Sequence, residues 1–256
     1  MKNFITILLG FSCAAVLYFG HSHWNQRIEA APKKASEQKN TNNPKDLQEE
    51  LLAYTSHWPA PAIEQFKQAL DQKRPFKVLF VGSPAIGSAT EGTFPIVRDQ
   101  LIQTFGQKNM QVSLKTYPLT SAQFIAADKQ EEIAKEQADL IILEPFILLN
   151  NGEVLVEKTL EDLTMLMNDI KAKNPKTTFI LQPSYPVYKA KIYPSQVDVL
   201  RKFAEERHLA YLNHWTAWPD PNTNPFKEYL LPDMSAPSKK GYQVWSNYLI
   251  KYFTGQ

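Results

Sequence analysis

Apolar and polar residues alternate along the chain with two different periods. Continuous apolar runs, the clearest at 77–82 and 139–144, predict buried strands. Apolar residues spaced three or four positions apart predict amphipathic helices between these runs. Further strands are expected at 112–116, 177–181 and 209–212, and helices at 93–105, 121–137, 160–173, 195–207 and 239–253. This alternation predicts an α/β fold, a flavodoxin-like three-layer α/β/α domain around a parallel sheet of about five strands.

The beginning of the chain has a different pattern. Residues 4–20 carry no charge, and a helix of that length spans about 26 Å, close to the thickness of a bilayer core. We therefore expect an uncleaved transmembrane anchor within residues 1–24, with Cys13 inside the bilayer. A cleaved signal peptide is one alternative, although Tyr18-Phe19-Gly20-His21 is a poor cleavage site, and a buried helix is another.

Three further segments follow the apolar run. Residues 25–45 are polar and lack aromatic side chains, which is typical of a tether. Residues 46–75 are expected to form two helical segments broken at Trp58-Pro59-Ala60-Pro61, and the sequence leaves their packing open. The domain itself is expected over 76–256. A single membrane-crossing segment near the start predicts a single-pass cell-membrane protein whose C-terminal domain lies outside the cytoplasm.

Composition and charge exclude several classes of function. The chain has 28 Lys and Arg against 26 Asp and Glu, so it lacks the strongly basic surface typical of nucleic-acid binding. One cysteine excludes an intramolecular disulfide framework, and five scattered histidines offer no convincing metal-ligand spacing. We therefore expect no metal, no cofactor and no nucleic acid, while the oligomeric state stays open. A hydrophobic content of 43% excludes a wholly disordered chain.

The candidate chemistry lies in the loops that follow the predicted strands, because open parallel sheets bind ligands at the carboxyl ends of their strands. Four of these segments occur in an order that resembles the SGNH (GDSL-type) hydrolases, above all the membrane-anchored members from Gram-positive bacteria. They are Gly82-Ser83-Pro84, the loop 143–152, Tyr211-Leu-Asn-His-Trp215, and Pro232-Asp233 followed by 237–245. The resemblance covers residues 76 to 253, which is most of the expected domain.

The resemblance implies a serine ester hydrolase, but two of its catalytic positions are substituted. The family uses a serine nucleophile, a histidine base three residues after an aspartate, and a glycine and an asparagine at the oxyanion. Where the family has Gly-Asp-Ser, this chain has Gly82-Ser83-Pro84, so Pro84 occupies the nucleophile position. Where it has Asp-x-x-His-Pro, the chain has Asp233-Met-Ser-Ala236-Pro237, so Ala236 occupies the base position.

These substitutions predict a catalytically degenerate protein that binds a cell-envelope glycan or a partner instead of hydrolysing it. One alternative is an active carbohydrate esterase or deacetylase with a displaced catalytic set of Ser83, His214 and Asp233. A second alternative is a structural or assembly protein of the envelope.

Other positions of the family blocks are expected to line a cleft. They are Gly82, Pro84, Glu144, Asn150, Asn151 and Ala236. Asn150 is either the oxyanion asparagine or part of a tight turn formed by Asn150-Asn151-Gly152. Aromatic side chains stack well on sugar rings, so Trp215, Trp218 and Tyr185 are candidate contacts for a cell-wall or capsular glycan. Tyr193 and Tyr242 are also expected among the aromatic residues of the cleft.

Overall fold

One parallel sheet of five strands organises residues 44–255, the part of the chain that the computed structural model describes. The sheet has the order β2-β1-β3-β4-β5. Its strands are β1 (Phe76–Gly82), β2 (Met110–Thr116), β3 (Leu140–Leu143), β4 (Thr178–Leu181) and β5 (Ala210–Tyr211). Each neighbouring pair is parallel. The expected parallel sheet of about five strands between helices is confirmed.

Helices connect the strands and cover the sheet. They are α1 (Pro44–Ala53), α2 (Ala60–Asp71), α3 (Thr93–Phe105), α4 (Ser121–Ala126), α5 (Lys129–Ala134), α6 (Ile147–Asn150), α7 (Val156–Lys173), α8 (Tyr193–Glu206) and α9 (Lys239–Thr254). Short 3-10 helices span Pro84–Ile86, His214–Ala217 and Asn224–Tyr229. The expectation of one helix over 121–137 is wrong, because Asp128 has a φ of 50° and this left-handed conformation separates α4 from α5.

The two faces of the sheet bury separate apolar cores. Val78 and Phe80 of β1 point toward α2, α3 and α9, whereas Leu79 and Val81 point toward α4 to α8. This alternation follows from the two-residue period of a strand. Because both faces are covered, β3 is apolar throughout and β1 is apolar from Val78 to Val81, as a sheet between two helical layers requires.

The segment before β1, whose packing the sequence left open, belongs to the first of these cores. The Trp58 ring stacks on Phe76 with 5.5 Å between ring centres, and its Nε1–H donates to the main-chain oxygen of Phe253 over 3.0 Å. Phe66 of α2 is fully buried against the same rings. Complete burial of one such aromatic side chain stabilises a fold by about 1.5–3 kcal/mol. The lead-in helices therefore form part of the folded unit.

No helix within residues 44–255 combines the length and the apolar character that a membrane crossing requires. The anchor expected at 4–20 and residues 25–43 of the expected tether lie outside the described residues.

Candidate functional site

The chain reverses its direction of travel across the sheet between β1 and β3. From β1 it passes to β2 on one side, and it then returns to β3 on the other side of β1. Open parallel sheets form ligand sites at such a switch point. Here Gly82 ends β1 and Glu144 follows β3. A Cβ on Gly82 would lie 2.7 Å from the Cβ of Glu144 and 2.6 Å from Cδ1 of Ile86, so only glycine leaves room for this approach.

Ser83 is held inward at this switch point. Its main-chain N–H donates to Oε2 of Glu144 over 2.7 Å, and its hydroxyl oxygen accepts from the N–H of Ala85 over 3.3 Å. That hydroxyl caps the 3-10 turn Pro84–Ile86, and the residue is only 1% exposed. Pro84 is the exposed residue of the turn and has neither a hydroxyl nor an N–H. The position that faces outward therefore lacks a nucleophile.

Glu144 is a fully buried carboxylic acid. Burial raises its pKa, an effect that hydrogen bonding from Ser83 only opposes. Oε1 has no hydrogen-bond partner among the described residues, and the same holds for the buried hydroxyls of Ser184 and Tyr193. Burial, and next the charge of Glu144, raise the pKa of Tyr193. These groups therefore share one poorly solvated region behind the carboxyl ends of β3 and β4. Tyr193, expected in the cleft, lies in this interior.

His214 uses both of its ring nitrogens inside the protein. Nδ1 accepts from Nε1–H of Trp218 over 3.1 Å, which assigns the proton to Nε2, and Nε2–H donates to the main-chain oxygen of Pro183 over 3.0 Å. The ring stacks on Trp245 with 4.5 Å between centres and 10° between planes. Burial lowers its pKa to about 3. At neutral pH the imidazole is therefore uncharged, with no free lone pair to accept a proton.

Asp233 lies in an exposed turn. Its Oδ1 accepts from the N–H of Ser235 over 3.1 Å and from the hydroxyl of Ser235 over 2.7 Å, and these hydrogen bonds lower its pKa. Half-buried Ala236 accepts the N–H of Leu231 over 2.8 Å through its main-chain oxygen. Within residues 44–255, no hydrogen bond joins Ser83, His214 and Asp233 to one another.

Asn150 belongs to a buried polar network between helices. Its Oδ1 accepts from the N–H of Ser121 over 2.8 Å, and its Nδ2 donates to the hydroxyls of Ser121 and Thr159 over 2.9 and 2.7 Å. Asp162 accepts from the Ser121 hydroxyl over 2.7 Å. The amide thus ties the start of α4 to α6 and α7. The turn itself is made by exposed Asn151 and by Gly152, whose φ is 85°.

The aromatic candidates for glycan contact are engaged in packing to different degrees. Tyr185 and Trp218 are 5% and 7% exposed, and the Tyr185 hydroxyl donates to the main-chain oxygen of Ser235 over 2.8 Å. Trp215 is half-buried, and its Nε1–H donates to the main-chain oxygen of Ser184 over 2.7 Å. Of these three side chains, Trp215 alone retains an appreciable solvent-exposed area.

An open groove of about 540 Å³ lies beside the turn that contains Ala236. It runs between the loop at 87–92 and the segment 231–239, at the start of α9. Gly87 and Gly92 close that loop with φ of 110° and 97°. The groove is lined by Thr90, Glu91, Gly92, Pro95, Ile96, Leu231, Pro237, Lys239, Tyr242 and Gln243.

The groove combines an aromatic ring with charged and amide groups. Half-buried Tyr242 contributes the ring, and Glu91, Lys239 and Gln243 contribute polar atoms. Burial and the charge of Glu91 raise the pKa of Tyr242. The sequence pattern placed Tyr242 in the cleft but carried no motif that singled out Glu91 or Gln243. Within the described part of the chain, no three His, Cys, Asp or Glu side chains cluster as metal ligands would.

Among the solved structures that share this architecture are proteins described as esterases and lipases. A protein described as a GDSL-like lipase from Parabacteroides merdae superposes with a TM-score of 0.59 at 17% identity, covering 72% of this chain and 97% of its own. An acetylxylan esterase from Geobacillus stearothermophilus superposes with a TM-score of 0.55 at 16% identity, covering 70% and 94%. A lipase from a goat rumen metagenome superposes with a TM-score of 0.53 at 12% identity, covering 71% and 99%.

No protein-family model and no curated protein matches the chain. The structural likeness shows that the chain has the SGNH/GDSL hydrolase fold.

Proposed function

We propose that this protein is a catalytically inactive SGNH-fold protein of the cell membrane that binds a cell-envelope glycan in the groove beside Tyr242. Residues 4–20 anchor it in the bilayer, and the domain described above lies outside the cytoplasm. The observation that carries the loss of catalysis is that Ser83, His214 and Asp233, the displaced catalytic set, already make other interactions within the fold. Ser83 is buried, and both nitrogens of His214 are hydrogen-bonded within the fold.

The loss of activity follows from the chemistry that remains. Ester hydrolysis by a serine enzyme needs a nucleophile and a base within hydrogen-bond reach, and removal of either one lowers the rate by several orders of magnitude. Pro84 and Ala236 stand at the two positions that supply these groups in the family the sequence resembles. Asp233, which would orient the base, instead stabilises an exposed turn. An active esterase with a displaced set is therefore the less supported alternative.

The groove supports a saccharide ligand better than the buried indoles do. Sugars are bound by an aromatic face together with hydrogen-bonding side chains, and Tyr242, Glu91 and Gln243 provide this combination in an open space. Ile96 and Leu231 on its walls are 36% and 40% exposed, so they offer apolar surface to the CH groups of a sugar ring. Trp218 and Tyr185 are too deeply buried to present a ring face.

The absence of catalysis is tested with a fluorophosphonate probe on the full chain in detergent, with an active serine esterase as positive control. We expect no labelling, and no hydrolysis of an activated acetyl ester above that of the Ser83→Ala variant. Labelling of the unmodified chain that disappears in Ser83→Ala would establish a working nucleophile and overturn the proposal.

Glycan binding is tested separately with purified cell-wall polysaccharide fragments carrying a fluorescent label. We expect saturable binding that Tyr242→Ala weakens at least about tenfold. Tyr188→Ala, a substitution of another half-buried tyrosine outside the groove lining, serves as the matched control and should bind like the unmodified chain. Equal binding by both variants would reject the groove as the glycan site, and no binding by the unmodified chain would reject the glycan and favour a structural role.

The anchor is tested by fractionation of cells that express the full chain. We expect the protein in the membrane fraction and its domain accessible to protease added outside the cell. Removal of residues 1–24 should release the protein from the membrane. A full chain found in the cytosolic fraction would contradict the proposed location.

A further inference from the structure

Strand β2 leaves one of its two edges open. It pairs with β1 along its whole length, from Phe76 opposite Met110 to Gly82 opposite Thr116, and it is the first strand of the sheet. No strand, helix or side chain within residues 44–255 is hydrogen-bonded to its other edge at Val112, Leu114 or Thr116.

The hydrogen-bond pattern identifies which main-chain groups face outward. Phe76 N–H donates to the oxygen of Asn109, and Tyr117 N–H donates to the oxygen of Gly82. In a parallel ladder alternate residues turn toward the neighbouring strand, so the odd-numbered residues from 109 to 117 bond to β1. The N–H and C=O groups of Val112, Leu114 and Thr116 therefore point away from the sheet.

This edge carries only one of the features that usually prevent edge-to-edge pairing, the charged residue Lys115. Its unbroken register with β1 leaves no bulge, and the strand contains no proline. Two grooves flank it on the side of α3, and Arg98 and Val112 contribute to both. An additional strand therefore finds open space as well as unpaired donors and acceptors.

The strand is complementary to a second copy of itself. In an antiparallel pair centred on Ser113, Val112 faces the second copy's Leu114 and Leu114 faces its Val112, so that the unpaired main-chain groups of these two residues meet in register. Gln111 faces the second copy's Lys115, and no two like charges meet. The flanking charges are already neutralised in pairs, Arg98 with Asp99 over 2.7 Å and Lys115 with Glu136 over 2.8 Å. A pairing centred on Lys115 would instead bring two lysines together, which is unfavourable.

We propose that two copies of this chain associate through their β2 strands, antiparallel and centred on Ser113, to form one continuous ten-stranded sheet. The two-fold axis then passes between the two Ser113 residues, and the interface uses the same surface of each copy. The candidate groove beside Tyr242 lies outside the strand, so the dimer would present two such grooves.

Disulfide trapping tests this geometry directly. Ser113 faces its own counterpart in a pair without mutual hydrogen bonds, where Cα atoms lie about 4.5 Å apart, within the range of a disulfide. The variant Ser113→Cys, made in a Cys13→Ser background of the full chain in detergent, should form a covalent dimer under mild oxidation. Gln123→Cys, at an exposed site on α4, reports random collisions within micelles. Dimer formation no greater at position 113 than at position 123 would overturn the proposal.

A pair of charge variants at one exposed position provides a second, independent test. Gln111→Glu places a carboxylate opposite Lys115 of the second copy, and Gln111→Lys places a like charge there. Sedimentation of the full chain in detergent should give dimer dissociation constants at least about threefold apart, lower for Gln111→Glu. Equal constants, or a monomer at all concentrations, would reject this pairing and leave the edge to a strand from a different protein.

Discussion

The main-chain N–H of Ser83 donates a hydrogen bond of 2.7 Å to Oε2 of Glu144, and neither residue reaches solvent. The contact joins the end of β1 to the residue after β3. It places a buried acid directly behind the loop where the SGNH hydrolases that the sequence resembles carry their nucleophile. Its energetic consequences depend on pH, because a buried carboxylic acid resists ionisation.

Substitution of Glu144 by Gln should stabilise the protein increasingly as the pH rises. Burial raises the pKa of Glu144 in the folded state, so between the unfolded value near 4.5 and the folded value the unfolded chain binds fewer protons. The contribution of Glu144 to stability is full below about pH 4.5 and falls by about 1.4 kcal/mol for each pH unit above it, until the folded pKa is reached. Gln keeps an acceptor for Ser83 and cannot ionise.

Chemical unfolding of the full chain in detergent between about pH 4 and pH 8 measures this difference. Glu153→Gln, at an exposed site after α6, is the matched control and should follow the unmodified chain. A constant difference between Glu144→Gln and the unmodified chain across this pH range would show that Glu144 ionises freely in the folded state.

His214 should have the opposite dependence on pH. The pKa of His214 is about 3 in the folded protein, below the unfolded value of 6.5. The contribution of His214 to stability is therefore full above pH 6.5 and decreases as the pH falls from 6.5 toward 3. Asn at this position can still accept from Trp218 through Oδ1, but it is one bond too short to reach Pro183, and it cannot be protonated. His214→Asn should therefore lose about 2–4 kcal/mol at neutral pH, through the missing ring stack on Trp245 and the unpaired main-chain oxygen of Pro183, and lose less as the pH falls.

The same unfolding experiment, over the same range of about pH 4 to pH 8, tests this prediction. Glu144 and His214 change the free energy of unfolding over overlapping pH ranges and in opposite directions. Only the difference between each variant and the unmodified chain is therefore informative. A gap between His214→Asn and the unmodified chain that widens on acidification would contradict a neutral buried His214.

Gly82→Ala should destabilise the protein by about 1–3 kcal/mol, because a Cβ there meets Glu144 and Ile86 at less than 3.0 Å. Gly152→Ala is the comparison. Its Cβ would meet nothing within 4 Å, although its φ of 85° makes alanine strained by about 1 kcal/mol. Thermal unfolding should therefore give a lower midpoint temperature for Gly82→Ala than for Gly152→Ala. The reverse order would mean that the end of β1 relaxes easily away from β3.

Asn150→Ala should cost about 2–4 kcal/mol, because it leaves the N–H of Ser121 and two buried hydroxyls without their amide partner. Asn151→Ala provides a neighbouring control at an exposed position and should lie within about 0.5 kcal/mol of the unmodified chain. Denaturant unfolding of both variants distinguishes a structural amide from a turn residue. If both variants lose a similar, small amount of unfolding free energy, Asn150 contributes to the turn alone.

The strands were predictable to the extent that their apolar runs are continuous. The interpretation of 77–82 and 139–144 as buried strands agrees with β1 and β3 to within one residue at each end, because a strand covered on both faces keeps polar side chains to its ends. The break between α4 and α5 was missed because a left-handed φ at Asp128 interrupts an apolar spacing that would also suit one continuous helix.

The environments of the candidate residues were far less predictable. Trp218 and Tyr185 were interpreted as cleft aromatics from their place in the loops, but packing buries both of them. The nitrogens of His214 bond to Pro183, 31 residues earlier, and to Trp218, four residues later. Only the second of these partners is near enough in sequence to be suspected, and nothing in the residue types specifies the direction of either hydrogen bond.

By itself the amino-acid sequence determined the alternation of strands and helices, and it led us to expect chemistry in the loops after the strands and to place Pro84 and Ala236 at the nucleophile and base positions of the family it resembles. The tertiary structure alone decided that Ser83 meets Glu144, that His214 is neutral and fully bonded, and that the open groove lies beside Tyr242. The physical reason is that periodicity is a local property of the chain, whereas desolvation and hydrogen-bond partnership depend on which distant residues the fold brings together.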